Sequence, residues 1–454
     1  MTDDHRRTTG AILASVVLVG GLMDTGYAAY AAWILASASL VLLMTPGLAL
    51  FYGGMTRAKS VLNMIMMSFG ALALIPAVFI LWGWSTAYGS DVLGLFGNPF
   101  DLFGLQGVAA TDYVSIAFQV TFAIITAALI SGAIADRVKF SAWLLFLPLW
   151  VTFSYFPLAH QVWGGGFLSD AASGLAAKLF GLVDGVAAVA PVDYAGGTVV
   201  HINAGVAGLV LVLLIGARRG FGREPMRPHN LPLTMLGAGL LWFGWFGFNV
   251  GSYVPDAESF DLEGFVSETG LVWVNTTAAA AAAILGWIVV EKIRDGKATS
   301  LGAASGVVAG LVAITPACGA LSPIGSLILG AVAGALCALA VGLKYRFGYD
   351  DSLDVVGVHL VGGLVGTVGI GFLATAGGLF YGDGVRLLVV QASIAIYAML
   401  WSGIATLIVG LIVKVVLGWR VDEEEEVSGI DFAEHGESAY DLANTGGSTF
   451  TTGA

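Results

Sequence analysis

The chain is 454 residues long, 57% hydrophobic and only 11% charged, with a mean hydropathy of +0.87. Soluble domains carry about 25% charged residues, so this composition excludes an ordinary soluble protein. A net charge of −12 argues against a nucleic-acid binder, and the two cysteines, Cys318 and Cys337, lack metal-ligand spacing and read as buried thiols.

Residues 1–28 join a polar start, MTDDHRR, to a short apolar run, AILASVVLVGGLM, and small residues in GYAAYAA. This pattern reads as a signal peptide. The alternative is an extra N-terminal hydrophobic segment that is retained. Apolar runs follow at 29–51, 61–84, 114–135, 141–158, 196–216, 231–252, 270–290, 301–317, 324–343, 355–374 and 387–413. Each is long enough to cross a bilayer as a helix and too long for a barrel strand, so an all-α integral membrane bundle of 11 transmembrane helices is predicted. The transmembrane domain is placed at 29–415 and a tail at 416–454.

Orientation follows from basic residues. Beyond Arg6 and Arg7, every Lys and Arg except Lys178 and Arg386 falls after an odd-numbered run. Those loops are predicted to be cytoplasmic, which puts the N-terminus of the first span outside and the tail inside a plasma-membrane protein.

Two spans contain an imidazole. His201 lies in GTVVHINAGVAG, eight residues after Asp193, or about 12 Å into the span at the helical rise. His359 lies in DVVGVHLVGG, five residues after Asp354. An ionisable residue inside a membrane is costly and marks a functional path by default. Five spans separate the two, so their helices run in opposite directions, the pattern of a five-plus-five inverted repeat with its site at the repeat interface. A neutral imidazole offers one donor and one acceptor, so a pair can share a hydrogen bond and pass a proton. No third His or carboxylate lies nearby at helical spacing, which leaves a metal site unsupported. The bland alternative is two neutral histidines bonded between helices.

Aromatic residues form a second constellation. Phe118 and Phe122 share a helix face, Trp163 precedes three glycines in HQVWGGG, and LWFGWFGFNVGS brings Trp245 and Phe248 close to Ser252. Single interfacial rings are commonly belt anchors. Clustered at an outer mouth, they can hold a cation over ring faces. In the tail, DEEEE at 422–426 reads most simply as a solvated acidic run.

Taken together, DYAGGTVVHINAGVAGL (193–209), PGLALFYGGMTRAKSVLNM (46–64), FQVTFAIITAALISGAIADR (118–137), HQVWGGG (160–166), LWFGWFGFNVGS (241–252) and DDSLDVVGVHLVGG (350–363) resemble the ammonium transporter family (Amt/MEP, related to Rh proteins). GIDFAEHGESAY (429–440) resembles the tail of its bacterial and archaeal members. The resemblance implies a homotrimer with one pore per subunit, no cofactor and no enzymatic activity. It implies that Trp163, Phe122 and Ser252 recruit ammonium, with Asp193 in support. Phe122 and Phe248 would gate the pore, His201 and His359 would be its twin histidines beside Trp245, and Phe51 and Tyr52 would lie near its centre. Asp431, His435, Gly436, Glu437 and Tyr440 would be regulatory, answering a cytoplasmic PII-type signal protein. A Rh-like neutral ammonia channel and an ammonium sensor remain as alternatives.

Overall fold

The computed structural model describes residues 4–254 and 260–440, with side chains from residue 26 onward. Most of segment 1–28, read above as a signal peptide, therefore lies outside the described side chains, as does the end of the tail beyond residue 440.

Among the described residues, ten helices are long and apolar enough to cross a membrane. They are α1 (Gly26–Met55), α2 (Val61–Tyr88), α3 (Asp112–Ile134), α4 (Phe140–Trp163), α5 (Gly197–Ile215), α6 (Leu231–Val250), α7 (Leu262–Asp295), α9 (Pro323–Phe347), α10 (Val356–Leu373) and α11 (Arg386–Val416). An eleventh apolar helix, α8 (Ser300–Ile314), is shorter. Thr315 still has helical backbone angles, and Pro316 after it brings no N–H to continue the ladder.

Small residues let the helices approach. At Gly237 of α6 an added Cβ would sit 2.3 Å from the backbone nitrogen of Phe51 on α1. At Gly334 of α9 it would sit 2.1 Å from the Ala283 carbonyl on α7. Without a hydrophobic drive between helices in lipid, such close backbone contact supplies much of the packing.

α5 and α10 start from opposite ends of the bundle and meet at its centre. Each begins with a π-helical turn, Gly197–Ile202 and Val356–Leu360, and each turn carries one histidine. Each is also capped by a carboxylate. Asp193 accepts from the amides of Gly196, Gly197 and Thr198 and from the Thr198 hydroxyl. Asp351 accepts from the amides of Val355 and Val356. The counterpart of Asp193 is therefore Asp351, eight residues before His359, and not Asp354 as the sequence suggested. Asp354 instead pairs with Lys344 at 2.6 Å.

The loops at the basic end are joined by buried charge. Arg218 forks onto Asp350 with two contacts of 2.8 Å and reaches Asp136 at 2.9 Å. Arg137 is buried and donates to the carbonyls of Ala133, Ala135, Gly216 and Asp350. Burial pushes Asp350 upward, but Arg218 and Arg137 outweigh it and hold the carboxyl below its usual range. Basic residues that mark topology in the sequence thus also fasten α3, α5 and α10 to one another.

The tail docks on this same end through α12 (Glu423–Ser428) and α13 (Ile430–His435). The acidic run is not simply solvated. Asp422 and Glu425 form a capping box, and buried Glu426 accepts from the Arg219 amide and pairs with Arg420. Asp431 caps α2 from a distance, accepting from the amides of Leu62 and Asn63 at 3.0 and 2.8 Å, whereas the local cap residue, Ser60, makes no such bond. His435 reaches Asn63 Oδ1 and packs edge-on to Phe140, Glu434 accepts from the Phe140 amide, and Tyr440 meets His229. Gly436 ends α13 at φ 69°, and Glu437 is exposed. Losing a cap costs about 1 kcal/mol. Asp431→Ala is accordingly expected to loosen the tail, read as faster amide exchange across both 423–435 and the first turn of α2. Unchanged exchange in that turn would rule out the capping role.

A candidate substrate path

At the end opposite the tail, a cavity of about 310 Å³ opens among Tyr30, Trp84, Phe122, Trp163, Tyr194 and Ser252. α4 delivers Trp163 at its last residue, and the indole Nε1–H donates to the Asp193 carbonyl at 2.9 Å. The loop that caps α5 therefore also fixes the indole. The Ser252 hydroxyl, in the cavity lining, donates its proton to the Phe248 carbonyl at 2.8 Å, which leaves its oxygen lone pairs as acceptors. Asp193 does not line the cavity. Burial raises this carboxyl, opposed by the Thr198 hydroxyl and the 196–198 amides, and those bonds occupy its oxygens.

Phe122 and Phe248 form the floor. Their rings stack with centroids 4.1 Å apart and planes 19° apart, and Trp163 stands edge-on to Phe122. Both phenylalanines are fully buried and in van der Waals contact. Nothing passes between them unless a ring turns.

Past the floor lies a much smaller space of about 10 Å³, close to the size of one water. Its walls are apolar except for His201 and His359, and Phe51, Trp245 and Phe248 contribute to them. The histidines are 1% and 3% exposed. Their Nδ1 atoms lie 3.4 Å apart, so one ring donates and the other accepts. Trp245 lies nearly parallel to His201, with planes 18° apart. His201 Nε2 is buried and has no hydrogen-bond partner, an unusual state for a polar atom. The geometry leaves one acceptor or donor aimed at a space that fits one small molecule.

The site residues expected from sequence fall along one line in the order Trp163 and Ser252, Phe122 and Phe248, then His201 and His359. Phe51 reaches the central space. Tyr52 does not, since its hydroxyl donates to the Leu129 carbonyl. His160, on the last turns of α4, is buried and bonded to Asp91 at 2.9 Å and to the Ala87 carbonyl. Asp351 was missed, although its eight-residue spacing to His359 repeats that of Asp193 to His201.

Residues 32–440 match the model of the Ammonium Transporter Family. The chain belongs to that family. An ammonium transporter from Mycobacterium tuberculosis (strain H37Rv) is 52% identical over 453 residues, covering 92% of this chain and 91% of the relative. Another, from Aquifex aeolicus, is 46% identical over 434 residues, covering 92% and 94%. Among solved structures, a sensor Amt protein aligns with a TM-score of 0.78 at 28% identity, covering 89% of this chain and 98% of its own. Mep2 of Saccharomyces cerevisiae aligns at 0.77 and 31% identity, covering 91% and 92%. The relatives are transport proteins, and this family member is a multi-pass membrane protein rather than an enzyme.

Proposed function

We propose that the chain carries ammonium into the cell by deprotonating it at the outer mouth and conducting ammonia through the histidine pair. The observation that carries this reading is the unpartnered His201 Nε2 beside a space for one small molecule, behind a wall of stacked rings. An ammonium ion at that depth is expensive, and losing its proton removes the cost. At the mouth, Trp163 and Phe122 offer ring faces worth about 2 kcal/mol to a desolvated cation, and the Ser252 oxygen accepts one N–H. Hydrated alkali ions give no N–H in return. Phe122 and Phe248 then turn to admit neutral ammonia, and the proton follows by way of His201 and His359.

The same reading makes the protein a homotrimer of subunits with 11 spans in two inverted halves. It places the cavity end outside, the basic end and tail in the cytoplasm, and a PII-type signal protein over the tail. The docked position of Asp431, His435 and Tyr440 beside the basic loops supports that last assignment. The test is ammonium-evoked current across membranes reconstituted with the purified protein. A saturable inward current supports it. Ammonia entry without current would move the reading to a neutral gas channel. Binding without either would favour a sensor, a reading that the likeness to a sensor Amt protein keeps open. Trp163→Leu removes one ring face and is expected to raise KM about tenfold with the maximal current nearly unchanged. An unaltered KM would remove Trp163 from the recruitment step.

A further inference from the structure

Thr315 stands where α8 stops, just before Pro316. Its hydroxyl oxygen accepts from Trp245 Nε1–H at 2.8 Å. Its own proton goes to the Leu311 carbonyl at 2.8 Å, with Asn249 Oδ1 at 3.3 Å as a second acceptor. Asn249 Nδ2 donates to the Thr276 hydroxyl at 3.0 Å, and Thr276 donates to the Val272 carbonyl at 2.7 Å. Thr315, Asn249 and Thr276 are fully buried. The chain therefore ties α6, α7 and the end of α8 together around a single indole N–H.

Trp245 has no other polar atom, so this one bond decides which way its ring faces. The ring that it fixes lies nearly parallel to His201 and touches Phe248, centroids 5.4 Å apart. Thr315 lines neither the mouth cavity nor the central space, whereas Trp245 walls the central space. A buried N–H without its acceptor is costly and turns its side chain toward another partner. The indole itself walls the central space, so any turn of its ring reshapes that space.

We propose that Thr315 is a positioning residue for ammonia passage: through the Trp245 indole it sets the plane of the His201 ring and the width of the space between the phenyl floor and the histidine pair. The inference rests on the transport reading above and adds to it a residue that never meets the substrate.

Current measurements on reconstituted Thr315→Val, Thr315→Ser and wild-type protein test it. Valine matches threonine in shape and removes only the hydroxyl. The maximal current of Thr315→Val is expected to fall about tenfold while KM, set at the mouth, moves less than twofold. Thr315→Ser keeps the acceptor and is expected to restore the current to within twofold of wild type. The second measurement is a double cycle with Trp245→Phe, which has no N–H to hold. In that background Thr315→Val is expected to cost nothing further. An equal loss in both backgrounds, or no rescue by serine, would mean a general packing role and overturn the inference. A full current from Thr315→Val would overturn it as well. A silent wild type would instead remove the transport reading and this inference with it.

Discussion

His201→Ala is expected to abolish the saturable ammonium-evoked current, with at least a tenfold loss of maximal rate and little change in how ammonium is captured at the mouth. The substitution removes a buried, unpartnered ring nitrogen from the wall of the central space and takes from His359 its Nδ1 partner. Charge transfer along the pair requires both rings, because a proton handed to one imidazole has to leave by the other. His359→Ala is expected to give the same loss. The two effects should not add, since either variant breaks the same relay. Parallel measurement of internal pH separates the outcomes. Ammonia entry that persists without current in the variants would show that the histidines carry the proton alone. Wild-type current from both variants would remove the pair from the mechanism.

Asp193→Ala is expected to cost about 3 kcal/mol of stability, because bonds to a charged acceptor are worth about 1.5–3 kcal/mol each and several are lost together. Three backbone amides and a hydroxyl converge on this carboxylate at the start of α5. Losing it leaves those donors unmet within the protein and frees the loop whose carbonyl holds the Trp163 indole. The readout is the melting temperature of the purified protein by intrinsic fluorescence in detergent, followed by KM in reconstituted membranes. Asp193→Asn retains one acceptor oxygen and should fall between the two. An alanine variant that melts with the wild type would show that the cap is dispensable.

Much of this architecture was legible in the sequence, because in lipid a helix must be apolar along its length and a polar intruder stands out. His201 and His359 were conspicuous for that reason, and their meeting followed from depth and direction. The ring stack of Phe122 and Phe248 was less accessible. It joins α3 to α6, and only the family resemblance paired them. Asp351 was mistaken for Asp354 because both precede His359 and sequence alone does not tell a capping carboxylate from one paired with Lys344. Within the acidic run, Glu426 was misread for a related reason, while Asp422, Glu423 and Glu424 are exposed as expected. Charge runs are ordinarily solvated, and nothing local reveals that the Arg219 amide, 207 residues away in the chain, meets Glu426. Thr315 is silent in sequence, being one hydroxyl among many in apolar helices.

The π-helical turns that hold the histidines have a consequence for how the gene can change. Each turn contains one residue more than an α-helix would use. Deleting Val199 or Val200, or their counterparts before His359, would let the helix relax to ordinary pitch. The helix beyond the turn would keep its register, and the residues inside the turn, His201 or His359 among them, would be re-aimed. The imidazole would swing off the path although no residue of the site had been replaced. These two short stretches are therefore expected to tolerate exchange of one apolar residue for another while rejecting any change in length.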